Sequence, residues 1–287
     1  MAPSPAKRGR AGVGAGWRAV HFIFKHPRNP MNPRIDVERD AGVVQLTMNA
    51  LPRPSTIDVE TCVALSAALR QIAETASDRV VVLRGAGSVF SAGGNLAKIE
   101  ETVADPPRLL APLIDRFHEA VLAMRRLPQP LIASVHGAAA GAGFSIAMAC
   151  DSVIAARSAR FVVGYLKIGA SSDGGLSFQL VRRLGRQRAF NLCLLTDTLD
   201  ANAAQEWGLV DRVVNDDALA AETRALALHI ATQPAQAVRE MKQLLSARAD
   251  AEFEQHLERE KAAFLRCAAT AEFAERVRAF NQRARKS

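Results

Sequence analysis

Asp173 stands in the run Ile168-Gly-Ala-Ser-Ser-Asp-Gly-Gly-Leu176, a carboxylate set among small residues just before a helical pattern. Two glycine-rich segments precede it in the chain. The first, Gly85-Ala-Gly-Ser-Val-Phe-Ser-Ala-Gly-Gly-Asn-Leu96, follows an apolar run and opens a helix. The second, Val135-His-Gly-Ala-Ala-Ala-Gly-Ala-Gly-Phe-Ser145, repeats the order of strand, glycine turn and helix. Glycine lets backbone approach a ligand closely, and a helix N-terminus presents unpaired N–H groups at the positive end of its dipole. The first segment is neither a GxGxxG fingerprint nor a P-loop, which needs a Lys-Ser/Thr pair after its last glycine. Two such turns in one sheet can aim two backbone donors at one oxygen. That is an oxyanion hole, in which each donor is worth about 2.7–4 kcal/mol. A carboxylate beside an apolar ligand has its pKa raised by desolvation, to where it can take a proton and return it. Asp before Gly-Gly and an amphipathic helix is also a good N-cap. The catalytic reading of Asp173 is preferred because these loops hold no other carboxylate. His136, between a strand and a glycine turn, is expected to be a satisfied structural histidine. His118, on an amphipathic segment, is expected at the surface or in an interface.

The elements that must position these residues are legible from periodicity. Val43–Met48 reads as a strand, and Asp58–Ala76 has helical spacing (Val59, Val63, Leu65, Leu69, Ile72) with Thr56 or Asp58 as N-cap. Arg79–Arg84 and Leu131–Val135 are apolar runs suited to strands buried on both faces. Leu109–Leu127 is an amphipathic helix stopped by Pro128 and Pro130, and a helix over 142–149 and a strand over Ser152–Ala156 follow. Alternating strands and helices imply βαβ crossovers and parallel pairing. After Gly174 the pattern turns helical, at about 175–184, 186–195, 201–207, 216–232, 234–249, 252–268 and 270–284, with an extended link over Leu209–Val214.

Composition narrows the class. The chain has 287 residues, 49% of them hydrophobic, and a mean hydropathy of +0.01, enough for a sizeable core. Aromatics are 5%, so a pocket for a flat ring is expected to have few stacking partners. The net charge of +8 is concentrated at one end: residues 1–34 carry seven Lys or Arg and no acid. The rest is nearly neutral, which argues against a nucleic-acid-binding fold. Residues 1–30 read as a disordered basic leader: a nucleic-acid arm, a transit peptide, or an over-extended start with Met31 opening the first strand. The four cysteines are scattered, without a CxxC pair, so neither a disulfide framework nor a zinc site is expected, and a cytoplasmic setting fits. Pro130–Cys150 is 21 residues without a formal charge, but His136, Gly137, Gly141 and Gly143 favour a strand, turn and buried helix over a membrane span.

Taken together, SAGGNL after VVVLRGAGSVF, then ASVHGAAAGAGFSIAMACD, IGASSDGGLSFQLVRRLGRQRA and ANAAQEWGLVDRVV resemble the crotonase (enoyl-CoA hydratase/isomerase) superfamily, from about Ile35 to the C-terminus. The resemblance implies an α/β fold: a spiral of ββα units over 31–200, with a C-terminal helical part, 201–287, that packs a homotrimer or hexamer. It implies a coenzyme A thioester as substrate, no other cofactor and no metal. The thioester oxygen would be held by the N–H groups of Gly94 and Ala142. Ala92, Asn95, Leu96, Gly141, Ser145 and Tyr165 would line the substrate site, and Lys98 would lie near the nucleotide end of coenzyme A. Asn95 stands where an Asp is usual. The two glutamates with which family hydratases add water fall on Ser145 and Tyr165, neither of which can do carboxylate acid/base work near neutral pH. The resemblance therefore implies double-bond isomerisation through Asp173. The alternatives are an aryl-CoA dehalogenase-like hydrolase with Asp173 as nucleophile, and a catalytically reduced RNA-binding homologue using the basic leader.

Overall fold

The structure is a computed structural model that describes residues 34–49 and 55–284. The expectation for residues 1–30 lies outside the described residues. The chain begins with strands β1 (Ile35–Asp40), β2 (Val43–Met48) and β3 (Thr56–Ile57), then helix α1 (Val59–Glu74). Strand β4 (Val80–Gly85) leads through the first glycine loop into β5 (Gly93–Gly94) and α2 (Leu96–Glu100). Helices α3 (Pro106–Leu109) and α4 (Ala111–Arg126) return the chain to β6 (Leu131–Val135), followed by β7 (Ala138–Ala140) and α5 (Ala142–Ala149). Strands β8 (Ser152–Ala156) and β9 (Arg160–Val162) precede a 3₁₀ turn at Tyr165–Ile168 and helix α6 (Leu176–Asn191). The remainder is β10 (Thr198–Asp200), α7 (Ala201–Glu206), β11 (Arg212–Val214), α8 (Leu219–Ala231), α9 (Ala235–Ala268) and α10 (Ala271–Ala284).

Six strands form the main sheet in the order β1-β2-β4-β6-β8-β11, parallel from β2 onward with β1 antiparallel at the edge. The apolar run in β4 is explained by period-2 alternation between two buried faces. Val81 and Leu83 join the main core with α1, α4 and α5, while Val80 and Val82 face a smaller core under Leu219 and Ala227 of α8. Residues 130–150, weighed as a membrane span, form β6, β7 and α5 inside this core; among the described residues no helix is long and apolar enough to cross a membrane.

Helix α1 is capped by Asp58, whose carboxylate accepts the Thr61 N–H at 3.0 Å. Its buried stripe is Cys62, Leu65, Leu69 and Ile72. Val59 and Val63, expected to belong to that stripe, are 42% and 47% exposed. The predicted helices 234–249 and 252–268 are one 34-residue helix, because no glycine or proline interrupts the chain between them. Helix α6 kinks at Gly185, whose φ of 74° and ψ of 160° are not helical, close to the break expected there.

Candidate active site

Two glycines bring the two glycine-rich turns together. Ser91 bridges Ala139 in parallel: its N–H donates to the Ala138 carbonyl at 3.0 Å, and its own carbonyl accepts the Ala140 N–H at 3.0 Å. The turns lie so close that a Cβ on Gly93 would sit 2.6 Å from the Ala140 oxygen, and one on Gly143 would sit 2.5 Å from Ser91 Cβ. Gly93 also has a φ of +88°, which side-chain-bearing residues rarely adopt. Ala142 is the first residue of α5, so its N–H has no acceptor within the helix. The Asn95 N–H is spent on the Ile57 carbonyl, and successive amides alternate along a strand, so the neighbouring Gly94 N–H points away from β3. Gly94 and Ala142 both line one cavity of about 220 Å³.

The cavity is apolar, and Asp173 is the one carboxylate among its described lining residues. Asp173 is buried, and its Oδ1 lies 2.5 Å from His118 Nε2 and accepts the Gly174 N–H at 2.8 Å. Burial pushes the Asp173 carboxyl above the usual carboxylate range, opposed by the hydrogen bond and charge of His118. Burial alone would lower the His118 pKa, but the bond and charge of Asp173 raise it. The two side chains thus hold one proton between them more tightly than a free carboxyl would. With that proton on His118, Asp173 is a buried carboxylate beside an apolar cavity and can act as a base.

His118 therefore corrects the expectation of a surface or interface position: it is 5% exposed. Ile114, Phe117, His118 and Val121 fall at helical i, i+3, i+4 and i+7 on the buried face of α4, and that spacing was the available signal. The helix-cap alternative for Asp173 also fails, because its carboxylate does not reach the amides of α6. His136 is partly buried and hydrogen-bonded through Nε2 to the Gly87 carbonyl at 3.1 Å, as its structural reading anticipated.

Ser145 and Tyr165 are brought together. Their hydroxyls lie 3.0 Å apart, and each reaches the Asp173 carbonyl, at 2.7 and 3.2 Å respectively. They hold the backbone of Asp173 in place. Tyr165 is raised well above its usual pKa by burial and by the Asp173 charge, so it stays a neutral phenol. Ala92, Leu96 and Gly141 line the cavity. Asn95 caps α2, accepting the Lys98 N–H at 3.3 Å, so it shapes the loop from outside the cavity. Lys98 pairs with Asp58 at 3.1 Å and Glu60 at 3.5 Å.

The expected shortage of ring partners does not hold. Phe117, Tyr165, Phe264 and Phe280 all face the cavity, the last two contributed by α9 and α10. Few aromatic residues in the chain do not mean few at one place, and the C-terminal helices supply half of these.

Removing His118 takes away the larger opposition to burial at Asp173 and leaves only the Gly174 N–H against it. In His118→Asn the carboxyl should bind its proton still more tightly, and the acid limb of kcat/KM should move to higher pH. A pH–rate profile checks this, and a limb that stays or moves to lower pH rejects the pairing.

A spiral of strand–strand–helix units closed by long C-terminal helices is the crotonase architecture. The enoyl-CoA hydratase of Bacillus halodurans superposes with a TM-score of 0.81 at 25% identity, covering 86% of this chain and 99% of that one. Residues 38–286 match the enoyl-CoA hydratase/isomerase family, and the chain belongs to it. It is 39% identical over 196 residues to a 1,2-epoxyphenylacetyl-CoA isomerase of Escherichia coli (strain K12), covering 68% of this chain and 75% of the relative. It is 29% identical over 201 residues to 4-chlorobenzoyl coenzyme A dehalogenase-2 of an Arthrobacter species, covering 70% of this chain and 73% of the relative.

Proposed function

We propose that the protein is an acyl-CoA isomerase in which Asp173 moves a proton between two carbons of the acyl group. The observation that carries this is a single buried carboxylate, paired with His118, in an apolar cavity also lined by Gly94 and Ala142. The thioester oxygen would lie between the Gly94 and Ala142 amides, which would carry the negative charge of the enolate. Asp173 takes a proton from one carbon as that charge develops and returns it to another, so the double bond shifts and nothing is consumed. Ser145 and Tyr165 supply no carboxylate for adding water. The four rings around the cavity fit a flat, apolar acyl group, and the relative acting on 1,2-epoxyphenylacetyl-CoA accords with that. The coenzyme A thioester is the substrate, and the mechanism calls on no other cofactor.

The assay is double-bond position in 2-enoyl- and 3-enoyl-CoA thioesters, including aryl-substituted ones, by NMR. Interconversion without hydration is expected; hydration without migration rejects the proposal.

One observation favours a second reading. His118 beside Asp173 would let Asp173 attack an aryl carbon bearing a halide while the histidine later activates water. Halide release from 4-chlorobenzoyl-CoA would replace the isomerase reading, and its absence removes this alternative.

A further inference from the structure

We propose that Glu260 is a positioning residue for the reaction: from α9 it caps helix α6 in the place Asp173 would otherwise take, and so leaves Asp173 to the cavity. This rests on the isomerase reading given above. Glu260 is 5% exposed, and its hydrogen bonds reach one segment. Its Oε2 accepts the Gly175 N–H at 2.6 Å. Its Oε1 accepts the Ser177 N–H at 3.1 Å, the Ser177 hydroxyl at 2.5 Å and the Ser172 hydroxyl at 3.0 Å. His256 Nε2 completes the cluster, 2.7 Å from Ser177 Oγ and 3.6 Å from Glu260. A carboxylate survives burial only when its lone pairs are occupied, and this one is occupied by the residues that bracket Asp173.

The turn between them shows how the two carboxylates divide the work. Gly174 and Gly175 have φ of +64° and +78°; Cβ atoms there would lie 2.3 Å from the Phe117 ring and 2.1 Å from the Phe253 ring. Their successive amides part company: that of Gly174 donates to Asp173 Oδ1, and that of Gly175 to Glu260 Oε2. An Asp ahead of a helix ordinarily turns its carboxylate onto the first free amides. Here Glu260 already holds them, and Asp173 bonds His118 instead. The positive end of α6 is thus neutralised by a residue of another helix.

The titratable groups around the cluster are Asp173, His118 of α4, Tyr165 of the 3₁₀ turn, Cys193 beyond α6, and His256 and Glu258 of α9. The nearby His256 ring and the bonds from Ser177 and Gly175 together outweigh burial and keep the Glu260 pKa low, so it is charged at neutral pH. Its negative charge holds the Asp173–His118 proton more tightly. Removing that charge lets the pair release its proton at lower pH.

Glu260→Gln tests both effects, because one amide cannot accept from the amides and hydroxyls on both sides. Expected is a fall in kcat of about 10²-fold with KM little changed, as for a misplaced catalytic group. The acid limb of kcat/KM should move to lower pH, a shift that a merely structural residue would not cause. Titration of the His118 ring in ¹⁵N-histidine-labelled protein, assigned by its loss in His118→Asn, needs no substrate and should move the same way. If Glu260→Gln fails to fold by near-UV circular dichroism, Ser177→Ala, which keeps the charge, should still lower kcat while leaving the limb in place. A folded Glu260→Gln protein with kcat within about twofold of wild type, or with an unmoved His118 titration, overturns the proposal; so does an unchanged kcat in Ser177→Ala. Wild-type protein that shifts no double bond overturns the isomerase reading instead, and the His118 titration then decides the role of Glu260 alone.

Discussion

Replacing Asp173 with Asn should lower kcat for double-bond migration by about 10²–10⁴-fold, the span attributed to a positioned general acid–base. The substitution is nearly isosteric. The backbone of residue 173 is held independently by Ser145 and Tyr165, and the flanking turn by Glu260, so the fold should survive. The Asn amide can still meet His118 and the Gly174 N–H. What it cannot do is accept a proton from carbon. Full rate in Asp173→Asn, measured with the best thioester of the panel, would move the chemistry to another group, and His118 is the nearest.

Ala142→Pro is expected to be nearly as damaging, by a different route. Proline is tolerated at the first position of a helix, where the missing N–H has no intrahelical acceptor. Gly141 before it has no Cβ to clash with the ring. The substitution therefore removes one donor facing the cavity with little cost to α5. Loss of a single oxyanion donor costs about 2.7–4 kcal/mol, or roughly 10²–10³-fold in kcat. Circular dichroism should show native helix content alongside that loss. A folded Ala142→Pro enzyme of unchanged kcat would mean that the thioester oxygen lies elsewhere.

Much of this site was legible because it is local. Both glycine turns advertise themselves through residues next to one another in sequence, and Asp173 stood out as a lone acid among small residues. The sheet was equally legible, since strands buried on both faces read as unbroken apolar runs, as in β4 and β6. What escaped depends on partners distant in sequence. The short strands β3, β5, β7, β9 and β10 have two or three residues each, too few for a periodic signal. His118 and Glu260 are polar residues on stripes otherwise apolar: Ile114, Phe117 and Val121 around the first, Phe253, Leu257 and Phe264 around the second. Helical spacing is compatible with a buried face for each, but the carboxylate or serine that makes burial tolerable comes from another element, so neither was expected there. The cavity's ring lining was hidden in the same way, because Phe117, Tyr165, Phe264 and Phe280 converge only in the folded chain.

Helix α9 has a kinetic consequence. At 34 residues it is about 51 Å long. Near its start Lys242 reaches Asp151 at 2.6 Å and the Gln129 carbonyl at 2.9 Å, and further along Glu260 grips the turn after Asp173. Ser172 and Glu260 are 88 residues apart, a long loop to close compared with the neighbouring strand pairings of β1 with β2 or β6 with β8. On a ribosome adding about 5–20 residues per second, the loop waits roughly 4–18 s for its clasp to be synthesised. The sheet can be assembled in that interval while the base is still unset. Catalytic competence in this chain should therefore be a late acquisition, trailing the pairing of the strands that carry the glycine turns.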